Sequence, residues 1–450
     1  MKKHITLSAL AIALLSTANV QAADNIAEMF SEGKTNGQIR WFSINRNVET
    51  SAGTGYTRKA NAVGGHLKYE TASLNGVSLG TAFYTTNGVF NGSPSTDYTK
   101  VDPTLLGDNN DAYSILGEAY VKVDLKDLGT KTDIKVGRQK LNTPLAGSDD
   151  ARMLPNLFEA YVLHNKDIPN TTLALAHVTK FAQGTFGRAY NGGTLAATSG
   201  YSAADSRTRV GEFVNMGEYA LGAGNNSAVT AAAAIYKNGA LKVQLWDYYA
   251  KDILNAVYAQ ADFSWNCVLS ESIKPFASVQ YLGEDEVGNK YAGTVDGNYW
   301  GAKLGASIGN LKAYIAYSST SENDATSGAL ENAIISPWGG MPAFTQGMVT
   351  RHQFLAGTEA TKVAGTYNWK DMGINLTTTL YYCDYDMAAN NGYTAGDASE
   401  SGFDFIYKPA AIKNLNLRLR ANYADDFNVN GTTGTTTSWD EYRFIVNYNF

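Results

Sequence analysis

The stretch of this 450-residue chain best equipped to act on a solute lies between two prolines. It runs Thr143-Pro144-Leu145-Ala146-Gly147-Ser148-Asp149-Asp150-Ala151-Arg152-Met153-Leu154-Pro155. Asp149, Asp150 and Arg152 place opposed charges within four residues, on a segment whose backbone the prolines stiffen. Further charges recur at even spacing: Lys68 with Glu70, Glu118 with Lys122, Arg418 with Arg420, and Glu441 with Arg443. In an extended chain residues two apart share a face. Rows of this kind across a narrow, wet passage set up a transverse field, which sorts ions and zwitterions by charge and size. The alternative is that Asp149 or Asp150 pairs with Arg152 and only braces the loop.

Bond-making chemistry has less to stand on. A hydrolase needs a histidine beside a serine or an acid. Beyond residue 22 the histidines are His66, His164, His177 and His352, scattered along the chain. His66 shares the Lys68 and Glu70 face and reads as a polar lining residue. Asp108-Asn109-Asn110-Asp111 and Glu284-Asp285-Glu286 lack the spacing of a calcium loop. No catalytic, cofactor or metal site is therefore expected, and the chain is not read as an enzyme.

The elements that must position these charges are strands. From Tyr442 the end of the chain takes sides by parity. Tyr442, Phe444, Val446, Tyr448 and Phe450 are apolar or aromatic, while Glu441, Arg443, Asn447 and Asn449 are polar, with Ile445 the exception. Seventeen further stretches share this period, beginning at Gly37–Asn47. Short connections such as Gly309-Asn310 alternate with long ones such as 87–114, 142–157, 182–228 and 319–361; Ala250-Lys251-Asp252 is short where a long one is due. Short turns alternating with long outer loops, and a final strand ending flush on an aromatic residue, are the pattern of an outer-membrane barrel. In Leu415–Asp425 the leucines face lipid and Arg418, Arg420 and Asn422 face in. A lipid-facing Arg or Lys costs roughly 2–4 kcal/mol at mid-bilayer, so the charged rows must look into a hydrated lumen.

Composition and targeting agree. Twenty-eight Tyr, 17 Phe, 7 Trp and 44 Gly against 9 Pro suit aromatic-girdled strands joined by turns. Lys2-Lys3, the apolar run Ile5 to Leu15 and Val20-Gln21-Ala22 spell a secretory leader cut after Ala22. Its removal leaves 34 basic against 42 acidic residues, a net charge of -8 that argues against a nucleic-acid partner. The expected division is residues 1–22 as signal peptide, 23–36 as a short periplasmic segment with a helical turn or two, and 37–450 as barrel. Cys267 and Cys383 fall at opposite ends of the wall, roughly 20 Å or more apart, and are expected free.

Gly137-Arg138-Gln139, Thr143-Pro144 and Ser148 to Pro155 resemble the constriction region of the OprD-type porin family, in the branch found in campylobacter-like bacteria. Phe30, Gly33-Lys34 and Gly37-Gln38-Ile39-Arg40 are similar to that branch's first strand. The resemblance implies an all-β, eighteen-stranded transmembrane antiparallel barrel with an inward-folded constriction loop. It also implies substrate-selective diffusion of small polar solutes, carboxylates or amino acids among them. Asp149, Asp150 and Arg152 are then expected at the constriction, with Lys68, Glu70, Glu118, Lys122, Arg418, Arg420 and Arg443 lining the pore. Inward basic residues slightly outnumber acidic ones, which points to anions. Expected partners are outer-membrane lipid and lipopolysaccharide, the barrel-assembly machinery through Phe450, and two more copies in a homotrimer. The competing readings are a non-specific porin, a structural or adhesive protein with a plugged barrel, and an outer-membrane hydrolase.

Overall fold

The computed structural model describes residues 22–91, 97, 99–186, 211–222, 224–268, 270–328, 330–340, 342–391, 396–429 and 433–450. The expected leader, save its last residue, and much of the expected loop 182–228 lie outside them.

Eighteen antiparallel strands run from Lys34–Thr50 to Thr436–Asn449, each paired to the next in sequence. The last pairs with the first from Gln38 opposite Asn449 to Thr50 opposite Thr437. Closure leaves no edge, so every ladder group has a partner in a medium that offers none. A two-residue strand, Val214–Asn215, adds to Thr171–Ala182 within a loop. All eighteen expected stretches are strands.

Parity builds the wall. Ile39, Trp41, Val63, Leu67, Leu79, Val279, Leu304, Ile315, Val363, Leu380, Leu419 and Phe444 are exposed on the outer face. Their sequence neighbours Arg40, Phe42, Ala62, Ser278 and Ala316 are buried inside. The alternation slips once within Tyr113–Asp124. Ala82 stands opposite Glu118 but Phe83 opposite Leu116, so Gly117 is an extra residue and the strand changes face there. Leu116 consequently points out and Ile115 in.

Several expectations change. The first outer connection, expected over 48–61, shrinks to residues 51–54, because the first hairpin continues in register from Lys34 opposite Glu70 to Glu49 opposite Gly55. The helical segment is Ile26–Ser31, capped by the Asn25 side chain, which accepts from Glu28 N at 3.0 Å. Met29 seats it on Ala23 and Ala72. Both cysteines are free, Cys383 buried and Cys267 half-buried.

The largest difference is inside the barrel. The hydrated lumen expected from the charges is narrowed by a packed interior. Inward wall residues Tyr248, Tyr258 and Tyr299 form one apolar cluster with Leu145 from the loop 140–156, Met216 and Tyr219 from the helix Met216–Leu221, and Ile334, Trp338 and Phe354 from the loop 321–357. A second cluster joins Met153 and Leu154 to Phe42, Ile44 and Ile445. Ile445, the apolar exception on the inward face of the closing strand, packs against the infolded loop there.

Candidate functional site

Two infolded loops meet backbone to backbone. Gly147 N donates to Trp338 O at 3.3 Å, Ser336 Oγ to Leu145 O at 3.2 Å, and Gly340 N to Asp149 Oδ2 at 2.9 Å. A Cβ on Gly340 would lie 2.2 Å from Pro144 O, and Gly340 has φ +82°, so glycine is needed on both counts. Burial pushes the Asp149 carboxyl above its usual range, against the opposing pull of Arg351. Asp149 therefore ties loop to loop.

The second loop is pinned to the wall. Gln280 accepts from Phe344 N at 2.8 Å, and Glu284 from Ile335 N at 2.7 Å. Glu400 gathers Met348 N at 2.6 Å, Thr350 N at 2.7 Å and Thr350 Oγ1 at 2.6 Å. His352 Nε2 bonds the Phe427 carbonyl at 2.8 Å, and burial pulls its imidazole down to about 4. Sequence periodicity had nothing to say about this loop, which has no regular period.

Beneath the loops lies the charged wall. Glu441 stands opposite Arg46 in the ladder that closes the barrel. It accepts from Arg46 Nε at 2.7 Å and from Arg152 Nη2 at 2.8 Å, and pairs with Arg443 Nε at 2.9 Å. None of these four side chains is exposed. Asp102, from the loop after the third strand, pairs with Arg58 at 3.0 Å and lies 3.9 Å from Arg46. Burial raises its carboxyl, but Arg58 and Arg46 outweigh that and hold it below the usual range. Burial draws the Arg152 guanidinium down to about 10, against Glu441, so it remains charged at neutral pH. The cluster is a brace between loop and wall.

Other charges keep contact with the lumen. Asp150 pairs with Arg40 Nη1 at 2.7 Å while 34% of its side chain stays exposed. Burial pushes the Asp150 carboxyl up, but Arg40 and Lys140 hold it below the ordinary range. Arg418 Nε donates to Asp404 Oδ1 at 2.7 Å, and Arg420 lies 3.3 Å from the same carboxylate. Arg418 is 31% exposed. Lys68 pairs with Glu118 at 2.8 Å, and Lys135 lies 3.7 Å over the Tyr120 ring. Together these residues form an arc on adjacent strands, from Ala398–Tyr407 through the closing seam to Thr132–Gln139. Among the described residues the arc and its brace hold Arg40, Arg46, Arg58, Lys68, Lys122, Lys135, Arg152, Arg418, Arg420 and Arg443 against Glu70, Asp102, Glu118, Asp150, Glu400, Asp404 and Glu441. Ten basic groups face seven acidic ones.

The residues expected at the site divide accordingly. Asp150, Lys68, Arg418 and Arg420 retain partly exposed side chains on the arc. Arg152, Arg443 and Glu118 are buried, spent on pairing and not presented to solvent. Glu70 accepts from the Tyr120 hydroxyl. Lys122 stands opposite Ser78 and Lys135, further toward the short turns. Arg40, Arg46, Arg58 and Asp102 complete the site without having been singled out. Arg40 and Arg46 were findable, since they share one parity, opposite to Ile39 and Trp41. Arg58 was hidden by the first loop's supposed length, and Asp102 lies in a loop without periodicity.

Two stretches, Gly76-Val77-Ser78-Leu79-Gly80 and Gly305-Ala306-Ser307-Ile308-Gly309, spell the Gly-x-Ser-x-Gly of a hydrolase elbow. Ser78 and Ser307 both sit in extended strands, opposite Lys122 and Lys312, and not on the strand-to-helix turn that exposes such a nucleophile. His164 pairs with Asp133 at 3.2 Å. Among the described residues no hydroxyl or thiol bonds that pair.

Comparison with known proteins agrees with this geometry. The model of the OprD family, described as outer membrane porins, matches residues 28–450. No curated protein sequence matches. The solved structures include OccK9 (OpdG) of Pseudomonas aeruginosa, 18% identical with a TM-score of 0.73 over 94% of this chain and 99% of that one. OpdK of the same organism, solved with vanillate, is 16% identical with a TM-score of 0.68 over 93% and 98%. OccK2 (OpdF), in complex with glucuronate, is 17% identical with a TM-score of 0.68 over 94% and 99%.

Proposed function

We propose that this chain, which belongs to the OprD family of outer membrane porins, admits small carboxylate-bearing solutes by selective diffusion. The observation that carries the reading is the partly exposed basic row of Lys68, Arg418 and Arg420 on the wall that holds Asp150, where ten basic groups face seven acidic ones. A solute carboxylate entering beneath the loops meets guanidinium and ammonium groups whose charge is only partly neutralised, in a narrow space where screening is weak. Arg418 and Arg420 share the single carboxylate of Asp404, so they retain capacity to pair with a passing anion. Two family structures, solved with vanillate and with glucuronate, are in keeping with anionic solutes. The 137–155 stretch supports the branch of the family suggested by its sequence.

The reading includes export by the leader, docking of Phe450 on the assembly machinery, lipid and lipopolysaccharide around the aromatic outer face, and assembly as a homotrimer. The dense interior favours one other account, a barrel closed by its own loops that serves structure or adhesion. Planar-bilayer conductance decides between them. Open channels with a reversal potential favouring anions support the porin reading; electrical silence or clear cation preference overturns it.

A further inference from the structure

Beyond one end of the arc, separated from Ala398–Tyr407 by one strand, the wall carries three lysines that the selectivity just described does not use. Lys303 on Asp296–Ile308, Lys312 on Leu311–Thr320 and Lys362 on Thr358–Asn368 face inward, since their neighbours Leu304, Leu311 and Val363 are exposed outside. Lys303 and Lys362 both stand opposite Ala316, one on each side of the middle strand. That puts their backbones about 10 Å apart. Lys312 lies on the middle strand four residues from Ala316, on the same face, one residue in from the Gly309-Asn310 turn. The group therefore runs from the level of the infolded loop, at Lys303 and Lys362, down to the short-turn side of the lumen, at Lys312.

Each ammonium rests on something other than an acid. Lys303 Nζ is 4.1 Å from the Phe344 ring centroid and 5.6 Å from that of Tyr314. Lys312 Nζ is 4.6 Å from the Phe276 centroid. Lys362 Nζ donates to the Gln346 carbonyl at 2.5 Å. None of the three forms an ion pair with a described carboxylate. Asp262, an acid on the same wall, accepts from Gln260 at 2.7 Å and Ser278 at 2.7 Å. The infolded loop supplies Phe344, whose N–H is held by Gln280, so this arrangement forms only when that loop is seated.

A ring face is a weaker partner for an ammonium than a carboxylate is. An arriving anion thus gains more from these lysines than the rings lose, and the rings then offer flat apolar surface to whatever the anion carries. We propose that Lys303, Lys312 and Lys362, with Phe276, Tyr314 and Phe344, form a second anion station between the throat and the short-turn mouth. It takes carboxylates attached to a flat apolar body, and it rests on the reading of the chain as an anion-passing channel.

The test uses the full-length barrel in planar bilayers, with benzoate or acetate added to one side at a time. From the short-turn side benzoate blocks the wild-type current at about fivefold lower concentration than acetate. The triple substitution Lys303→Gln, Lys312→Gln, Lys362→Gln raises that blocking concentration about tenfold. Equal block by the two acids, or benzoate block unchanged in the triple variant, overturns the station. Should the triple variant not fold, Lys312→Gln alone and the wild-type comparison of the two acids still decide. Failure of the anion-channel reading shows separately, in the wild-type reversal potential.

Discussion

At the scale of single residues the chain uses charge in two ways. Arg46, Arg152 and Arg443 surround Glu441 without any exposed surface, whereas Arg418 and Asp150 remain open to the lumen. Glu441→Gln leaves three buried guanidinium groups facing a neutral amide. Breaking a buried pair of this kind costs about 3–5 kcal/mol. The heat-induced mobility shift of the detergent-folded barrel should therefore move to a clearly lower temperature, and an unchanged transition would refute the brace. Arg418→Gln should leave that transition alone and lower the anion-to-cation permeability ratio about twofold. His352 makes a pH prediction. Its folded value of about 4 lies below the roughly 6.5 of an exposed histidine. Protonation therefore favours the unseated loop. The stabilisation is complete above about 6.5 and disappears as pH falls through about 4. Current fluctuations should grow over that interval, and His352→Gln should flatten the dependence.

At the scale of elements, the loops decide how wide the channel is. Gly340 lets the loop 321–357 touch the Pro144 carbonyl, and a side chain there has no room. Gly340→Ala should separate the two loops and raise single-channel conductance, with no change in the melting of the wall strands. A conductance equal to wild type would show that the junction does not limit flow. Strands were legible because lipid outside and charge inside impose a strict period of two. Infolded loops carry no such period, and their inward apolar residues, such as Ile334 and Trp338, look like any loop residue until their neighbours are known. Ile445 is the informative middle case. Its apolar side chain on the inward face was visible in the chain, but what it packs against, Met153 and Leu154, was not.

At the scale of the whole molecule, the closed ladder and the arc of basic groups support the proposal of a channel that favours anions. Because the field is electrostatic and partly screened, raising salt from 0.1 M to 1 M shortens the screening length from about 10 Å to about 3 Å. Anion preference should then weaken markedly; a preference insensitive to salt would place selectivity in size alone. Period and turn length laid out from the residues alone eighteen strands that make a barrel with its charged rows inside. Those features are local, and each strand carries them without reference to any other. Which charges meet was decided only in three dimensions. Glu441 and Arg46 are 395 positions apart and become partners because the last strand closes on the first. Asp102, Arg152 and Phe344 reach the lumen only because their loops turn inward. Closure register and loop packing are properties of the assembled cylinder, and no short window of the chain encodes them.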